Sequence, residues 1–531
     1  MGANPRPEPP VRRSWRVAAA LLGVVAGGYG ALLLAGNSPW GRGFLRDRSA
    51  AALARRLPSA RLSGDPGIDW RLRIGLGSLE IPAGEPGGEP PLRIDRVAVT
   101  PRWIALLAGR AEAETIRLRG VRLRLPGVGE LPPFDVRVRP GPPVRLTADL
   151  VAGGELALEV VPRGPGEADL SLSLTGGSID DPRLATVPVG PIAVTLAGRL
   201  RWDAAARSAD LSQGRLALGP GVGADVDASW VSRPEPRASF SLRADRIGWE
   251  ALVAALPEAL RPVPAAPRLR GALSFHLRLD GPPARPAEWQ LDAGLDLSAL
   301  KAAGPVAVAG PFTWQAPESA GTERTIRVGP GNPSFVPLDE VPRVLVGAVT
   351  LSEDAGFFGH HGFDFSEIRE ALAEAAGSGR ARGASTISQQ VAKNLYLSGE
   401  RTLARKVREA LATVALEASL PKRRLLEIYL NVAEWGPGLF GIGEASRHYF
   451  DKAPRDLTAR EAAFLATIIP SPVRYHVFFE RGALSETWEQ RVRVLLAKMF
   501  SAEVITPAEY LAALEEPMTF ARAEPRAAAV P

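Results

Sequence analysis

Gly383-Ala384-Ser385-Thr386-Ile387-Ser388-Gln389-Gln390-Val391-Ala392-Lys393-Asn394 reads as the opening of a helix, with Ser385 as the expected N-cap. At 3.6 residues per turn, Ser385, Gln389 and Lys393 share one face, and Thr386, Gln390 and Asn394 lie beside them. A plain solvated face would carry charges. Two neighbouring stripes of uncharged hydrogen-bonding groups with one lysine suit a polar ligand such as a sugar or a diphosphate. Helical periodicity extends to both sides, over residues 365–376, 402–419, 422–430, 459–469 and 485–500. It begins only after residues 306–330, a Gly- and Pro-rich stretch that reads as a linker or a lead-in strand.

Before that stretch the period is two. Trp70, Leu72, Ile74 and Leu76 alternate, as do Ile116 and Leu118, then Val121, Leu123 and Leu125 as a second strand of a pair. Leu170, Leu172 and Leu174 follow, then Leu273, Phe275, Leu277 and Leu279, then Trp289, Leu291, Ala293, Leu295 and Leu297. Each run is bounded by Gly or Pro, so residues 37–305 are expected to form an antiparallel β-rich region. Its helical candidates are residues 103–107 and 249–260. Within residues 93–125 a strand, a short amphipathic segment (Trp103, Ile104, Leu106, Leu107), Gly109-Arg110 and a pair of strands follow one another. That order resembles the AsmA-like envelope proteins, which implies sheets curled into apolar grooves linked to lipid movement. The other reading of the region is a spacer that holds the next domain at a set height.

At 531 residues the chain is too long for one core. Its 46% hydrophobic and 23% charged residues are ordinary for globular protein. The absence of cysteine excludes disulfides and thiolate metal sites. A net charge of +6 could signal nucleic acid, but no basic stripe interleaved with aromatics is present, and no nucleic-acid partner is expected. Only Lys301, Lys393, Lys406, Lys422, Lys452 and Lys498 among the 64 basic residues are lysines, and three of them cluster at 393–422. Compact ammonium groups act as point charges on phosphate. Near the N-terminus Arg12, Arg13 and Arg16 precede an uncharged apolar run, Val17 to Ala35. A transmembrane signal-anchor over 17–36 is therefore expected, with residues 1–16 cytoplasmic and the remainder outside. A cleaved signal peptide is the rival reading.

Four clusters carry candidate chemistry. In Glu353-Asp354-Ala355-Gly356-Phe357-Phe358-Gly359-His360-His361-Gly362 an acid packed beside phenylalanines would lose hydration and gain a pKa useful to a general base. The alternative is a helix C-terminal turn capped by the histidines. The second cluster is the 383–394 helix. In Arg405-Lys406-Val407-Arg408-Glu409-Ala410, Arg405 and Glu409 stand four apart, as a surface ion pair or as a phosphate-binding group. The fourth is the amphipathic run from Lys422 to Asn431, with Asn431 a possible C-cap.

In this order and spacing the four clusters resemble the glycosyltransferase family 51 peptidoglycan glycosyltransferases, over about residues 325–520. The stretch from Asn431 through Glu434-Trp435-Gly436 to Ile442 is most similar to the monofunctional biosynthetic branch, and Ala355 stands where bifunctional relatives often have arginine. The resemblance implies an α-helical, lysozyme-like C-terminal domain over 331–520, docked on the outer face of the bacterial inner membrane, in a single-pass protein with a periplasmic catalytic domain. Residues 521–531 are expected to be a disordered tail. It implies polymerisation of lipid II into glycan strands with inversion, undecaprenyl diphosphate being the leaving group.

By the match, Glu353 and Glu409 are catalytic, Glu353 as the base that deprotonates the acceptor sugar 4-hydroxyl. Asp354, Phe357, His360, Gly362, Ser385, Thr386, Gln389, Gln390, Lys393, Asn394, Arg405, Lys406 and Asn431 bind substrate. A divalent cation, Mg2+ or Mn2+, is expected near Glu409 through the donor diphosphate, with no organic cofactor. Expected partners are lipid II, the lipid-linked nascent glycan, the membrane and other cell-wall synthases. No transpeptidase activity is expected, because the Ser-x-x-Lys pattern from Ser419 to Lys422 lies inside the glycosyltransferase motifs and no later Lys-Thr-Gly follows it. A lytic transglycosylase or lysozyme-type hydrolase would also use a glutamate in a helical fold, but it has no need of the Lys393, Arg405 and Lys406 cations. A lipid-binding or scaffold protein with a silent catalytic domain is the remaining alternative.

Overall fold

The computed structural model describes all residues except 1–9, 57–58, 83–89, 109, 111, 126–128, 131, 151–152, 233–234, 320–321, 379–382, 398 and 522–531. The expected tail and most of the expected cytoplasmic segment thus lie outside the described residues. Two compact units divide the chain: residues 1–178 with 191–200, and residues 179–190 with 201–531. The division falls well before the 306–330 stretch expected to separate the domains.

In the first unit α1 (Pro10–Asn37) and α2 (Pro39–Arg56) precede β1 (Arg61–Ser63), β2 (Gly67–Ile68), β3 (Ile74–Ile81) and β4 (Leu92–Pro101). Then come α3 (Trp103–Leu107), β5 (Ala113–Leu125), β6 (Gly129–Glu130), β7 (Phe134–Arg139), β8 (Val144–Asp149), β9 (Glu155–Gly164) and β10 (Glu167–Gly176). β3, β4, β5, β7, β8, β9 and β10 pair antiparallel in succession. Ile94, Val97, Val121, Val136 and Ala148 fill the buried side; Ile94 and Val97 stand three apart on β4, and a register shift opposite Gly77 and Leu79 brings both to it. Two local expectations change. Residues 70–72 form a turn, because Asp69 accepts the Arg71 and Arg73 amides and Leu72 takes φ 57°. The expected strand pair over 116–125 is one strand with a bulge, where Gly120 at φ 62° donates its amide to Asp135. Among the described residues no helix is long and apolar enough to cross a membrane. Side chains 10–21 and 24, which include part of the expected anchor 17–36, are outside the description.

β11 (Ile192–Asp203) straddles the division in sequence. The second unit continues with β12 (Ser208–Leu218), β13 (Gly223–Val231), β14 (Arg237–Gly248), α4 (Trp249–Ala255), β15 (Leu269–Gly281), β16 (Gln290–Asp296) and β17 (Leu300–Ala302). Consecutive strands from β12 to β16 pair antiparallel, and β17 returns to β15. The helix expected over 249–260 stops before Pro257 and resumes as a 3-10 turn at Glu258–Leu260, since a proline ring there leaves no room for a continuing turn. Next, β18 (Phe312–Ser319) and β19 (Thr322–Val328) form a hairpin inside the expected 306–330 linker. Trp314, Ala316, Ile326 and Val328 are buried in the helical core, and Trp314 Nε1 donates to the Asn394 carbonyl at 2.9 Å. Four core side chains make the hairpin part of the folded body.

The helical part then runs α5 (Arg343–Glu353), α6 (Phe365–Ser378), α7 (Ile387–Tyr396), α8 (Leu403–Glu417) and α9 (Lys422–Val432). After a short hairpin at 434–440 come α10 (Ile442–Phe450), α11 (Ala459–Ile468), α12 (Pro472–Tyr475), α13 (Val477–Arg481), α14 (Glu486–Ser501) and α15 (Pro507–Glu515). Trp435, Tyr429, Tyr449, Phe357 and Phe464 are fully buried, each contributing about 1.5–3 kcal/mol or more of apolar burial. A second cluster joins sheet to helices: Trp249, Leu269, Leu273, Leu297 and Leu300 pack with Val414 and Ala415 of α8.

Candidate active site

Four chain segments converge: the end of α5, the loop 354–364, the start of α7 and the first turns of α8. Glu353 is the last residue of α5, where the chain leaves the helix through Asp354. Its Oε2 accepts from Gln390 Nε2 at 2.9 Å, and Gln390 Oε1 accepts from the Tyr429 hydroxyl at 3.1 Å. Both ends of the Gln390 amide are thereby held, which fixes which atom faces the carboxylate. Tyr429 is fully buried and its pKa is pushed far up by desolvation, so its proton stays on to make this bond. Burial raises Glu353 above the ordinary carboxylate range; the Gln390 bond and the Lys393 charge oppose that, and neighbouring Asp354 reinforces it.

Asp354 faces the other way. Its Oδ2 accepts the Ile387 amide at 2.9 Å, so it caps α7 from across the site, and its Oδ1 lies 2.8 Å from His360 Nε2. The Gly362 amide donates to His360 Nδ1 at 3.1 Å, which puts the histidine proton on Nε2, facing Asp354. The Gly362 carbonyl in turn accepts from Thr386 Oγ1 at 2.7 Å. Only glycine fits there: φ is 91°, and a Cβ would meet Thr413 Cγ2 at 2.8 Å. Phe357 points into the core, under Lys422 Nζ at 4.4 Å from its ring, while Phe358 is exposed. Lys422 is tied to Glu417 at 2.7 Å, and Glu417 also bonds buried Ser388.

The N-cap of α7 is Thr386, not Ser385. Thr386 Oγ1 accepts the Gln389 amide and Gln389 Oε1 accepts the Thr386 amide, a reciprocal capping box. A threonine three residues before a glutamine closes both bonds, which Ser385 cannot. Gln389 is thereby committed to the backbone and buried, and the expected polar stripe keeps Gln390, Lys393, half-buried Asn394 and Ser385. Ser385 Oγ lies 3.4 Å from Lys406 Nζ.

On α8, Glu409 is 2% exposed and lies between Arg405, at 2.8 Å, and Lys406. Among the described residues Arg405 Nε is buried without a hydrogen-bond partner. Lys393 is brought within electrostatic range of Glu353, Glu409, Arg405 and Lys406; desolvation lowers its pKa, the carboxylates oppose this, and the two cations add to it. The first amides of α8 are satisfied from outside the helical part. Leu403 and Ala404 donate to the carbonyls of Arg183 and Leu184 at 3.0 and 2.7 Å, and Arg405 donates to Thr402 Oγ1. Val189, Ala185 and Ala404 pack beneath that contact.

Glu409 makes no preformed metal site. Each of its oxygens already carries a cation, and the one group of described residues able to hold an ion is Asp354, His360 and Asp364. Nor is Asn431 a C-cap. It lies within α9, buried, with its amide exchanging bonds with both backbone groups of Val336 and donating to the Glu427 carbonyl. Both of its amide hydrogens are thereby committed to backbone carbonyls. Tyr429 and Glu417 were not anticipated, because Tyr429 lies in an apolar stripe that reads as core; Lys422, grouped with Lys393 and Lys406 in sequence, is instead tied to Glu417.

The site can hold an ionisable carboxylate, desolvated and oriented, beside a cationic pocket built from Lys393, Arg405 and Lys406. Residues 322–500 match the family described as Transglycosylase. The chain is 40% identical over 210 residues to the biosynthetic peptidoglycan transglycosylase of Rhodospirillum centenum, a match covering 90% of that protein and 38% of this chain. It is 43% identical over 167 residues to the protein of that name from Jannaschia sp., covering 66% of it and 32% of this chain. With the Shewanella denitrificans protein it shares 50% identity over 143 residues, covering 62% of that protein and 27% of this chain.

Proposed function

The chain belongs to the biosynthetic peptidoglycan transglycosylases and is a peptidoglycan glycosyltransferase, and on that premise we propose that it polymerises lipid II. The reading is carried by one juxtaposition: Glu353, desolvated and aimed by Gln390, within electrostatic range of Lys393, which stands among Arg405, Lys406 and Glu409. Glu353 takes the proton of the acceptor sugar 4-hydroxyl as its oxygen bonds to the donor anomeric carbon. The bond from that carbon to the diphosphate oxygen breaks with inversion, and the electron pair leaves with undecaprenyl diphosphate. Lys393, Arg405 and Lys406 stabilise the charge that develops on the departing diphosphate, and Glu409 holds two of those cations in place. General-base catalysis supplies about 10²–10⁴-fold, and preorganised cations at the leaving group as much or more. Asp354, His360, Gly362 and Thr386 act by fixing the α5–α7 geometry. Because the Glu409 oxygens are occupied, Mg2+ or Mn2+ would enter with the substrate diphosphate.

The anchor at 17–36, inner-membrane location, a periplasmic catalytic domain and association with other cell-wall synthases belong to the same proposal; the flanking arginines and uncharged apolar run support the first three. For the AsmA-like reading of the first unit, support comes from a cleft of about 750 Å³ there, lined by Leu53, Leu62, Leu76, Leu79, Val97 and Ile116 among others. An apolar cleft of that size would take a lipid chain. Labelled lipid II with the full chain and a divalent cation tests the main reading. Long lysozyme-sensitive strands from the parent and none from Glu353→Gln are expected, whereas strands from the variant would remove Glu353 from its role.

A further inference from the structure

In the second unit the end of the sheet lies against α6: the rings of Phe275 on β15 and Phe365 on α6 are 6.4 Å apart, and Phe363 and Leu295 pack into the same cluster. Beside this contact three clefts follow one another. The first, about 190 Å³, contains Glu353, Ser385 and Asp364. The second, about 450 Å³, shares Asp364 with it and adds His360, Asp292 and Arg369. The third, about 730 Å³, shares Asp292 and Arg369 with the second and opens between Arg278, Trp289 and α6. A polar path thus leads from the catalytic carboxylate to a wall supplied by β15 and β16.

The far end of this path has a defined chemistry. Most of its acids are engaged: Asp280 with Arg237, Glu288 with Arg285 at 3.0 Å, and Glu370 as well, while Asp292 is exposed and lies 3.8 Å from His276. Its arginines are not. Among the described residues, no hydrogen bond or ion pair engages the guanidinium of Arg278 on β15 or of Arg369 on α6. Trp289 spends its N–H on the Pro282 carbonyl at 2.8 Å and is seated against Gly281, so its ring serves as an apolar wall. Two free guanidinium forks around an indole suit a short peptide that carries carboxylates next to small apolar side chains.

We propose that the cleft between β15–β16 and α6 binds the carboxylate-bearing peptide of peptidoglycan, with Arg278 and Arg369 as the anion-binding groups. The choice of that peptide rests on the glycosyltransferase reading. The peptide comes from the incoming lipid-linked precursor or from the strand already made, and the two share the same chemistry.

Calorimetric titration of the full chain with a lipid-free disaccharide-peptide, with its carboxylates free or amidated, tests this. The free-acid ligand is expected to lose roughly tenfold in affinity in Arg278→Gln and in Arg369→Gln, and more in the double variant, with partial recovery in the lysine variants. Glu353→Gln should bind as the parent does, which separates this site from catalysis. Equal binding by parent and double variant, or equal binding of amidated and free-acid ligands, overturns the proposal. In polymerisation assays a raised KM for lipid II assigns the site to the incoming precursor. Shorter strands at unchanged KM assign it to the product, and a double variant that matches the parent in both counts against it. A parent that binds the ligand but makes no strands would defeat the polymerase reading and leave this site standing.

Discussion

Replacing Gln390 with leucine removes the one neutral donor that faces Glu353, at 2.9 Å, while keeping a similar volume on α7. A hydrogen bond to a charged group contributes about 1.5–3 kcal/mol, and each 1.36 kcal/mol of preference for the ionised form corresponds to one pH unit. Burial already raises the Glu353 pKa and the Gln390 bond opposes it, so losing the bond raises it further. The base must be ionised to act. Activity therefore falls as pH drops through this pKa, and the acidic limb of kcat/KM should move upward by roughly one to two pH units in Gln390→Leu. Tyr429→Phe leaves the donor in place but frees its far end, where the hydroxyl holds Gln390 Oε1 at 3.1 Å. A neutral bond of about 1 kcal/mol is lost there, so its limb should move less, by under about one pH unit. Initial rates of lipid II polymerisation across pH supply the measurement. A lowered plateau with an unmoved acidic limb in Gln390→Leu would refute the reasoning, because it would mean the amide places substrate without tuning the carboxylate.

Glu353→Gln should raise Tm at neutral pH, since burial penalises the ionised form; the gain should vanish as pH falls below the ordinary glutamate range, where the parent residue is protonated in both states. Glu409→Gln should lower kcat by about 10²-fold by releasing Lys406 and Arg405. Its cost in stability, read by denaturant titration, should stay below the ~3–5 kcal/mol of a fully buried pair, because Lys406 is 43% exposed and can turn to water. Val189→Ala should cost about 1–2 kcal/mol and speed hydrogen exchange at the Leu403 and Ala404 amides, which a wall unconnected to α8 would leave unchanged. Asn431→Ala should cost about 2–4 kcal/mol while leaving KM for lipid II unchanged, as expected of a residue that clamps Val336 and touches no substrate.

The helices of the catalytic part were legible because each buries one stripe: residues 365–376, 402–419, 422–430, 459–469 and 485–500 were read within a few residues of α6, α8, α9, α11 and α14. The period-two runs likewise announced antiparallel strands, and the four motifs containing Glu353, Lys393, Arg405, Lys406 and Glu409 carried the resemblance that implied the chemistry. These are local properties, set by side-chain direction along one element. The turn at Leu72, the bulge at Gly120 and the choice of Thr386 over Ser385 as a cap depend on which backbone group finds a partner, and neighbouring positions compete closely for it.

Other features depend on what lies across the fold. Tyr429 looks like core until Gln390 is seen to face it, and Asn431 looks like a cap until Val336 takes its amide. The 306–330 stretch reads as a linker or a lead-in strand, and the burial of Trp314, Ile326 and Val328 in the helical core decides for strands. The sequence by itself determined most element types, because periodicity is written along the chain, and its motifs carried the family resemblance that named the candidate site residues. Tertiary structure alone decided that carbonyls of Arg183 and Leu184 cap the helix bearing the cations, and that β16 lines a cleft together with His360, Asp364 and Arg369. Those contacts join residues far apart along the chain. No local pattern encodes such pairings; they follow from the burial of Trp249, Leu273 and Val414 in one shared cluster.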